Sequence, residues 1–355
     1  MRDLFESSID NMLGDLVTPA LFRSCADGTW PAHLWDALED AEFTYAMVPE
    51  GLGGSGATWD DTYILVRAAG SYAVPAPFAD TVLANWVLGR LGIRPMKGPT
   101  SVAAHAAVTC ANGRATGLAE SIPWGRHLKH LVVVSKDENP SVLVLDATTA
   151  AEVELRSNVA GEPRDNLRFH HARVVHAVRL PDNLSSDLLL VGGAMIRSAQ
   201  NAGALRSLLQ MTATYATERV QFGKPIGHFQ VIQQQIALLA EHAASALLAA
   251  EAAFAEAEED FSLLPVMAAK ICAGEAASVA ASIAHAVHGA IGFTDEHSLH
   301  LKTRRLWAWR AEYGSQTYWS QRLGRRICAS GAAALWPTLT QSSPMNSNAF
   351  MESAS

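Results

Sequence analysis

Cysteine is scarce in this chain and never clustered. Cys25, Cys110, Cys272 and Cys328 lie far apart, and no CxxC pair occurs. That spacing argues against a disulfide framework or a zinc knuckle. Charge is also sparse, at 17% of residues, with a formal net charge of −8. There is no long basic run, so nucleic acid is not expected as a partner. The N-terminus, Met1-Arg2-Asp3-Leu4-Phe5-Glu6, carries acids early and lacks the apolar core of a signal peptide. No uninterrupted apolar stretch reaches transmembrane length. A cytoplasmic protein without a membrane partner is the expectation. GxSxG, P-loop and HExxH motifs are missing too.

Two motif-like features carry little. Gly51-Leu52-Gly53-Gly54-Ser55-Gly56 satisfies GxGxxG, but a dinucleotide loop needs a parallel βαβ unit around it. Here it follows a helical stretch and the short run Met47-Val48-Pro49, so it reads as a flexible loop. His285 and His288, like His297 and His300, are i, i+3 pairs. No carboxylate or thiolate cluster accompanies them, so no metal site is expected.

What the chain does have is apolar residues, 49% of 355, enough for a large core in two or three packed units. Helical spacing is clear in Leu4, Ile9, Leu13 and Leu16, then in Leu34, Leu38 and Phe43. Pro75 and Pro77 punctuate further helices starting near Asp60 and Phe78. The texture then changes to short β-prone runs, Leu131–Val134, Val142–Leu145 and Arg173–His176, separated by turn residues. Beyond Leu188 the chain is Ala-rich and helical in four long segments, about 188–220, 227–260, 262–289 and 296–330. Pro265 falls in the first turn of the third, where its missing N–H costs little. The expected fold is mainly α with a β insert. An N-terminal helical domain spans 1–103, a small antiparallel β domain 104–182, a C-terminal four-helix bundle 183–340 and a flexible tail 341–355.

One segment is polar and glycine-broken: Tyr215-Ala-Thr-Glu218-Arg219-Val-Gln221-Phe222-Gly223-Lys224-Pro225-Ile226, followed by His228-Phe229-Gln230. It can be a plain helix–turn–helix corner. Yet a guanidinium pairs bidentately with phosphate oxygens, and glutamines can read an amide or purine edge. This segment closely resembles the acyl-CoA dehydrogenase signature, roughly Y-x-x-x-R-x-Q-F-G-x-P-I-x-x-F-Q. Three other stretches resemble the same family in order: Val48–Gly56, Ala73–Thr81 and His288–His297, with Arg304-Arg305 following.

The resemblance implies an FAD enzyme that dehydrogenates an acyl-CoA thioester and passes electrons to an acceptor. It implies cofactor contacts from Arg219, Gln221, Phe222, Phe229, Gln230, Gly289 and Ser315, with the ADP half crossing a subunit interface. Other family features are missing. Residues 115–125 do not match the strand-loop expected under the flavin ring, and the nearest β run to its second contact is Val133–Lys136. Ala286 replaces a glutamine and Ala290 a glycine. Working members use a glutamate base; alignment on Gly314 puts Tyr313 there, with Glu312 one residue off. This pattern resembles the degenerate partner in heteromeric, steroid side-chain type members, where a second subunit supplies the base, as in a heterotetramer. Two alternatives stay open: a complete homo-oligomeric enzyme using Glu312 as its catalytic residue, and a non-catalytic scaffold of the same fold.

Overall fold

The structure is a computed structural model that describes residues 1–257, 261–294, 296–333 and 336–337. Five helices open the chain: α1 (Arg2–Leu16), α2 (Pro19–Ala26), α3 (Ala32–Asp40), α4 (Trp59–Ser71) and α5 (Phe78–Arg90). Thr58 and Asp61 form a reciprocal capping box that starts α4. Helix α5 is buried on every side from Phe78 to Gly89. Gly51–Gly56 is a compact turn in place of the expected flexible loop. Gly56 and Ala57 donate N–H bonds back to Val48 and Ala46. A Cβ on Gly54 would lie 2.4 Å from the Tyr45 carbonyl, so only glycine fits there.

Seven strands follow: β1 (Thr100–Ala103), β2 (Ala106–Ala111), β3 (Arg114–Pro123), β4 (His130–Val134), β5 (Ser141–Asp146), β6 (Glu152–Glu154) and β7 (Arg164–Arg179). They form one sheet in the order β1-β4-β5-β7-β3-β2, with β6 also on β7. All pairs are antiparallel except β1–β4, which is parallel. The sheet is thus antiparallel, as expected, apart from that one pair. The β2–β3 hairpin lies between the two strands in sequence and carries the chain back to the same end. Strand β7 has 16 residues. Register shifts against β3 and β5 bend it, so one strand serves both halves of the sheet.

The remaining helices are α6 (Leu188–Glu218), α7 (Gln230–Ala255), α8 (Leu263–His288), α9 (Leu299–Trp309) and α10 (Gln316–Ser330). The fourth segment of the bundle is thus two helices. Tyr313 (φ 53°) and Gly314 (φ 90°) take left-handed backbone and turn the chain between them. Helices α6, α7 and α8 pack on one another, α10 packs on α8, and α9 lies against α6 and α8. Helices α7 and α8 prove long and apolar enough, by composition, to cross a membrane. Neither is an uninterrupted apolar run, because Gln, Glu, His or Lys residues are scattered along them; only the mean hydropathy over a window is high. Half of the apolar window on α8 is buried within the fold. The expected tail, 341–355, lies outside the described residues.

Small residues set the closest crossing. A Cβ on Gly203 of α6 would sit 2.0 Å from the Arg67 carbonyl of α4, and one on Gly70 would sit 1.9 Å from the Gln200 carbonyl. Gly203→Ala is therefore expected to destabilise the chain by about 1–3 kcal/mol through overpacking. Gly324→Ala is the control, because nothing lies within 4 Å of its added methyl. It should be neutral or stabilising by up to about 1 kcal/mol. Thermal melts of the two variants should move in these different ways; equal shifts would contradict the packing account.

Candidate functional site

Helix α6 ends at Glu218, and Arg219 leaves it in extended backbone. Two short strands, β8 (Val220–Gln221) and β9 (Lys224–Pro225), pair across Phe222 and Gly223. Both turn residues have positive φ, 52° and 81°, as a tight two-residue hairpin of this hand requires. The hairpin projects from the bundle. The Phe222 ring is 91% exposed and meets Phe229 edge-on at 6.1 Å. The Lys224 ammonium sits 4.5 Å over the Phe229 ring. Arg219 and Gln221 are exposed, and their side chains make no hydrogen bond among the described residues. Gln230 begins α7 beside them.

Tyr215, one turn before Arg219, joins this corner to the end of α8. Its hydroxyl donates to the His288 carbonyl at 3.3 Å, and its ring stacks on His288 at 4.4 Å. Gly289 follows with φ 63°. The structure thus gathers Arg219, Gln221, Phe222, Phe229, Gln230 and Gly289 at one end of the bundle. Ser315 is elsewhere. It caps α10, accepting from the Tyr318 N–H at 3.2 Å. The next residue, Gln316, packs on Gly274 of α8, about 22 Å along that helix from Gly289 at 1.5 Å per residue.

Near Ser315 lies the position of the expected base. Glu312 and Tyr313 occupy the turn between α9 and α10, and neither is free. Arg164 of β7 donates to Glu312 through Nε at 2.8 Å and Nη2 at 3.1 Å. Arg197 of α6 donates to it through Nε at 2.7 Å, and Asn158 adds a bond at 3.0 Å. Arg197 also holds Asp80 of α5 at 3.0 and 3.1 Å. Asp80 in turn accepts from the Tyr313 hydroxyl at 2.7 Å. Outward, Arg164 reaches Glu162, which also accepts from Arg305 and from the Trp309 indole, each at 3.0 Å. Arg197 is 1% exposed, and Asp80 and Glu162 scarcely more. This network ties together the N-terminal helices, the sheet and the bundle.

Burial opposes the charge of Glu312, but Arg164 and Arg197 outweigh it and hold the carboxyl far below the usual range. Burial and the neighbouring Asp80 carboxylate push the Tyr313 phenol well above its ordinary value. A good general base needs spare lone pairs and a pKa near the working pH. Glu312 has neither, and Tyr313 is a donor. Space is also missing: a Cβ on Gly193 would sit 2.1 Å from a Tyr313 ring carbon, so that ring lies directly on the α6 backbone. At Gly192 an added Cβ would meet Leu83 and Phe261 at 2.7 and 2.8 Å.

Residues 115–123 belong to β3, paired with β2 and β7, so they form a strand and not the strand-loop expected under a flavin ring. Asp80, Arg164 and Arg197 were not foreseen in sequence. The available signal was a lone charge inside an apolar helix, Asp80 within Phe78–Leu88 and Arg197 within Leu188–Ala199, since a buried charge requires a partner. Among the described residues no group of three or more metal-ligating side chains occurs.

Residues 189–327 match the acyl-CoA dehydrogenase C-terminal domain family. The acyl-CoA dehydrogenase IpdE2 of Mycobacterium tuberculosis is 28% identical over 313 residues, covering 86% of this chain and 90% of its own. A chain of the crystallised ChsE4-ChsE5 complex from Mycobacterium tuberculosis superposes with a TM-score of 0.84 at 23% identity, covering 93% of this chain and 98% of that one. A chain of the Tcur3481-Tcur3483 steroid ACAD variant does so at 0.80 and 21%, with the same coverage.

Proposed function

The chain belongs to the acyl-CoA dehydrogenase family, whose cofactor is FAD, and from that premise we propose that it is the non-self-sufficient subunit of a heteromeric dehydrogenase. In this reading it binds the ADP side of a shared flavin while a partner subunit supplies the glutamate base. The observation that carries the reading is the state of Glu312 and Tyr313. The first is neutralised by two guanidinium groups, and the second is pressed onto α6.

The residues present fit one half of FAD. The exposed hairpin offers Arg219 for a pyrophosphate, Gln221 for a polar edge and Phe222 for a flat face, all outside this chain's own core. Bound FAD supplies the hydride acceptor. This chain's part is to hold the ADP end and keep water from it. An apolar face on α7, with Val231 64%, Leu238 43% and Leu248 71% exposed, lies next to the hairpin in sequence and suits burial against a second subunit. The two-component names of the structural neighbours support a hetero-oligomer. The description "steroid ACAD" of one supports a steroid side-chain thioester as substrate. The homo-oligomeric reading with Glu312 as base is disfavoured by the same two arginines.

The half-site has its own test. Arg219→Ala removes a charge-assisted contact worth about 1.5–3 kcal/mol. Flavin retention by the assembled complex should fall by roughly ten- to a hundredfold. Unchanged flavin stoichiometry after gel filtration would remove Arg219 from the site.

A further inference from the structure

The histidine pairs at the end of α8 and the start of α9 come together in the fold, and the half-site described above uses none of their side chains. His288 is 3% exposed. Its Nδ1 lies 2.8 Å from the Ala284 carbonyl, so that nitrogen carries the proton. Its Nε2 is buried and meets no hydrogen-bond partner among the described residues. Tyr215 of α6 stacks on the ring at 4.4 Å, and His297 lies across it at 4.8 Å. His285, one turn earlier, stacks on Phe293 at 4.3 Å and shares a hydrogen bond with Thr303 of α9 at 2.9 Å. Its Nδ1 is also buried without a partner. The turn Gly289–Phe293 runs over these two side chains. A Cβ on Gly292 would sit 3.2 Å from the His288 Cβ and 3.3 Å from the His285 Nδ1. The two histidines are the floor of the turn and, through Tyr215, its fastening to α6.

This arrangement suits neutral rings. A second proton on His288 must go to Nε2, where it becomes a buried donor on a buried cation with no acceptor. The stack on Tyr215 favours a cation weakly, and His297 and His285 oppose it. Burial is the largest influence on His285, His288 and His297, and it holds each below the ordinary imidazole value. His300 on α9 adds repulsion at His285 and His297. Two exposed carboxylates are close in sequence, Glu218 on α6 and Glu296 before His297. Neither bonds to any of these three rings among the described residues.

We propose that His288, with His285 and His297, is a proton-operated latch: neutral rings hold the Gly289–Phe293 turn on α6, and a proton taken up at the Nε2 of His288 frees it. An open turn exposes imidazoles of ordinary pKa, near 6.5. Opening therefore takes up protons once pH falls below about that value. The closed turn is fully favoured above it and loses ground as pH falls toward the lower pKa of the closed state. Tyr215 lies one turn before Arg219, so an open latch loosens the corner that carries the hairpin. That consequence for flavin rests on the half-site reading above; the latch itself does not.

The test is hydrogen–deuterium exchange of the full chain between about pH 7.5 and 5.5, with rates corrected for the intrinsic effect of pH. Protection of Gly289–Phe293 should fall by up to about fivefold per proton taken up between about pH 6.5 and 5.5, while α4 keeps its protection. His288→Phe keeps a ring on Tyr215 and cannot be protonated, so its turn should respond much less to acid, with a thermal melt showing that it is folded. The wild-type profile decides the matter should the variant not fold. In the assembled complex, flavin should leave faster at the acid end of the range, and His288→Phe should suppress that loss. A turn that opens in acid while the complex keeps its flavin leaves the latch standing and counts against the half-site reading. Equal protection of the turn across the range, an equal fall in α4, or a wild-type response in His288→Phe would each overturn the latch.

Discussion

Glu312→Gln is expected to lower the stability of this chain by about 3–5 kcal/mol while leaving turnover per bound flavin nearly unchanged. The carboxylate is the shared counter-charge of Arg164 and Arg197, both almost wholly buried. A neutral amide leaves two desolvated guanidinium groups short of charge, which costs far more than the lost bonds alone. The lower end of the range is expected, because Arg164 keeps Glu162 and Arg197 keeps Asp80.

The pH dependence gives an independent readout. The folded pKa of Glu312 is depressed below its unfolded value, near 4.3 for a glutamate. Its stabilisation is therefore fully present above that unfolded value and is lost as pH falls through the folded pKa. Glu162, where Arg305 and Arg164 outweigh the penalty of burial, acts in the same direction. Wild-type chain should lose stability steeply below about pH 4, and Glu312→Gln should show a flatter acid limb. If the variant instead melts like wild type and loses most of its kcat at constant flavin content, Glu312 is the base and the homo-oligomeric reading replaces ours.

How much of this was legible in the sequence depends on the range of the interaction. Helix α4 could be read because its start signal, Thr58 with Asp61, is local. Strands β4 and β5 could be read because Leu131–Val134 and Val142–Leu145 are continuous apolar runs. The parallel β1–β4 pairing had no local signature, since strand direction follows from the path of the intervening hairpin. Strand β7 was seen only at its end, Arg173–His176, because its bends disturb the alternation along it. The break between α9 and α10 rests on left-handed backbone at Tyr313, which a tyrosine does not advertise.

The site divides in the same way. Arg219 through Gln230 stood out as one contiguous motif, and the hairpin keeps those residues together. Glu312 was noticed, but its partners lie 115 and 148 residues away in sequence, and Arg197 meets Asp80 across 117 more. No spacing rule links such residues. Only the packing of α5, α6 and β7 around one turn brings them into contact and turns a possible base into a fixed counter-ion.

The central claim is that this chain lacks a usable base and needs a partner that has one. An acyl-CoA α-proton is weakly acidic, so turnover requires a positioned carboxylate with an accessible lone pair. The most direct measurement is flavin content and acyl-CoA dehydrogenation, with an artificial electron acceptor, for the chain purified alone and for the chain co-expressed with an acyl-CoA dehydrogenase-like partner carrying its own glutamate. General acid–base contributions are about 10²–10⁴-fold. The chain alone should therefore show activity lower by at least that factor, with little bound flavin. The complex should be yellow and active, and a Gln substitution at the partner's glutamate should abolish its turnover. Full flavin occupancy and comparable turnover by the chain alone would contradict the account.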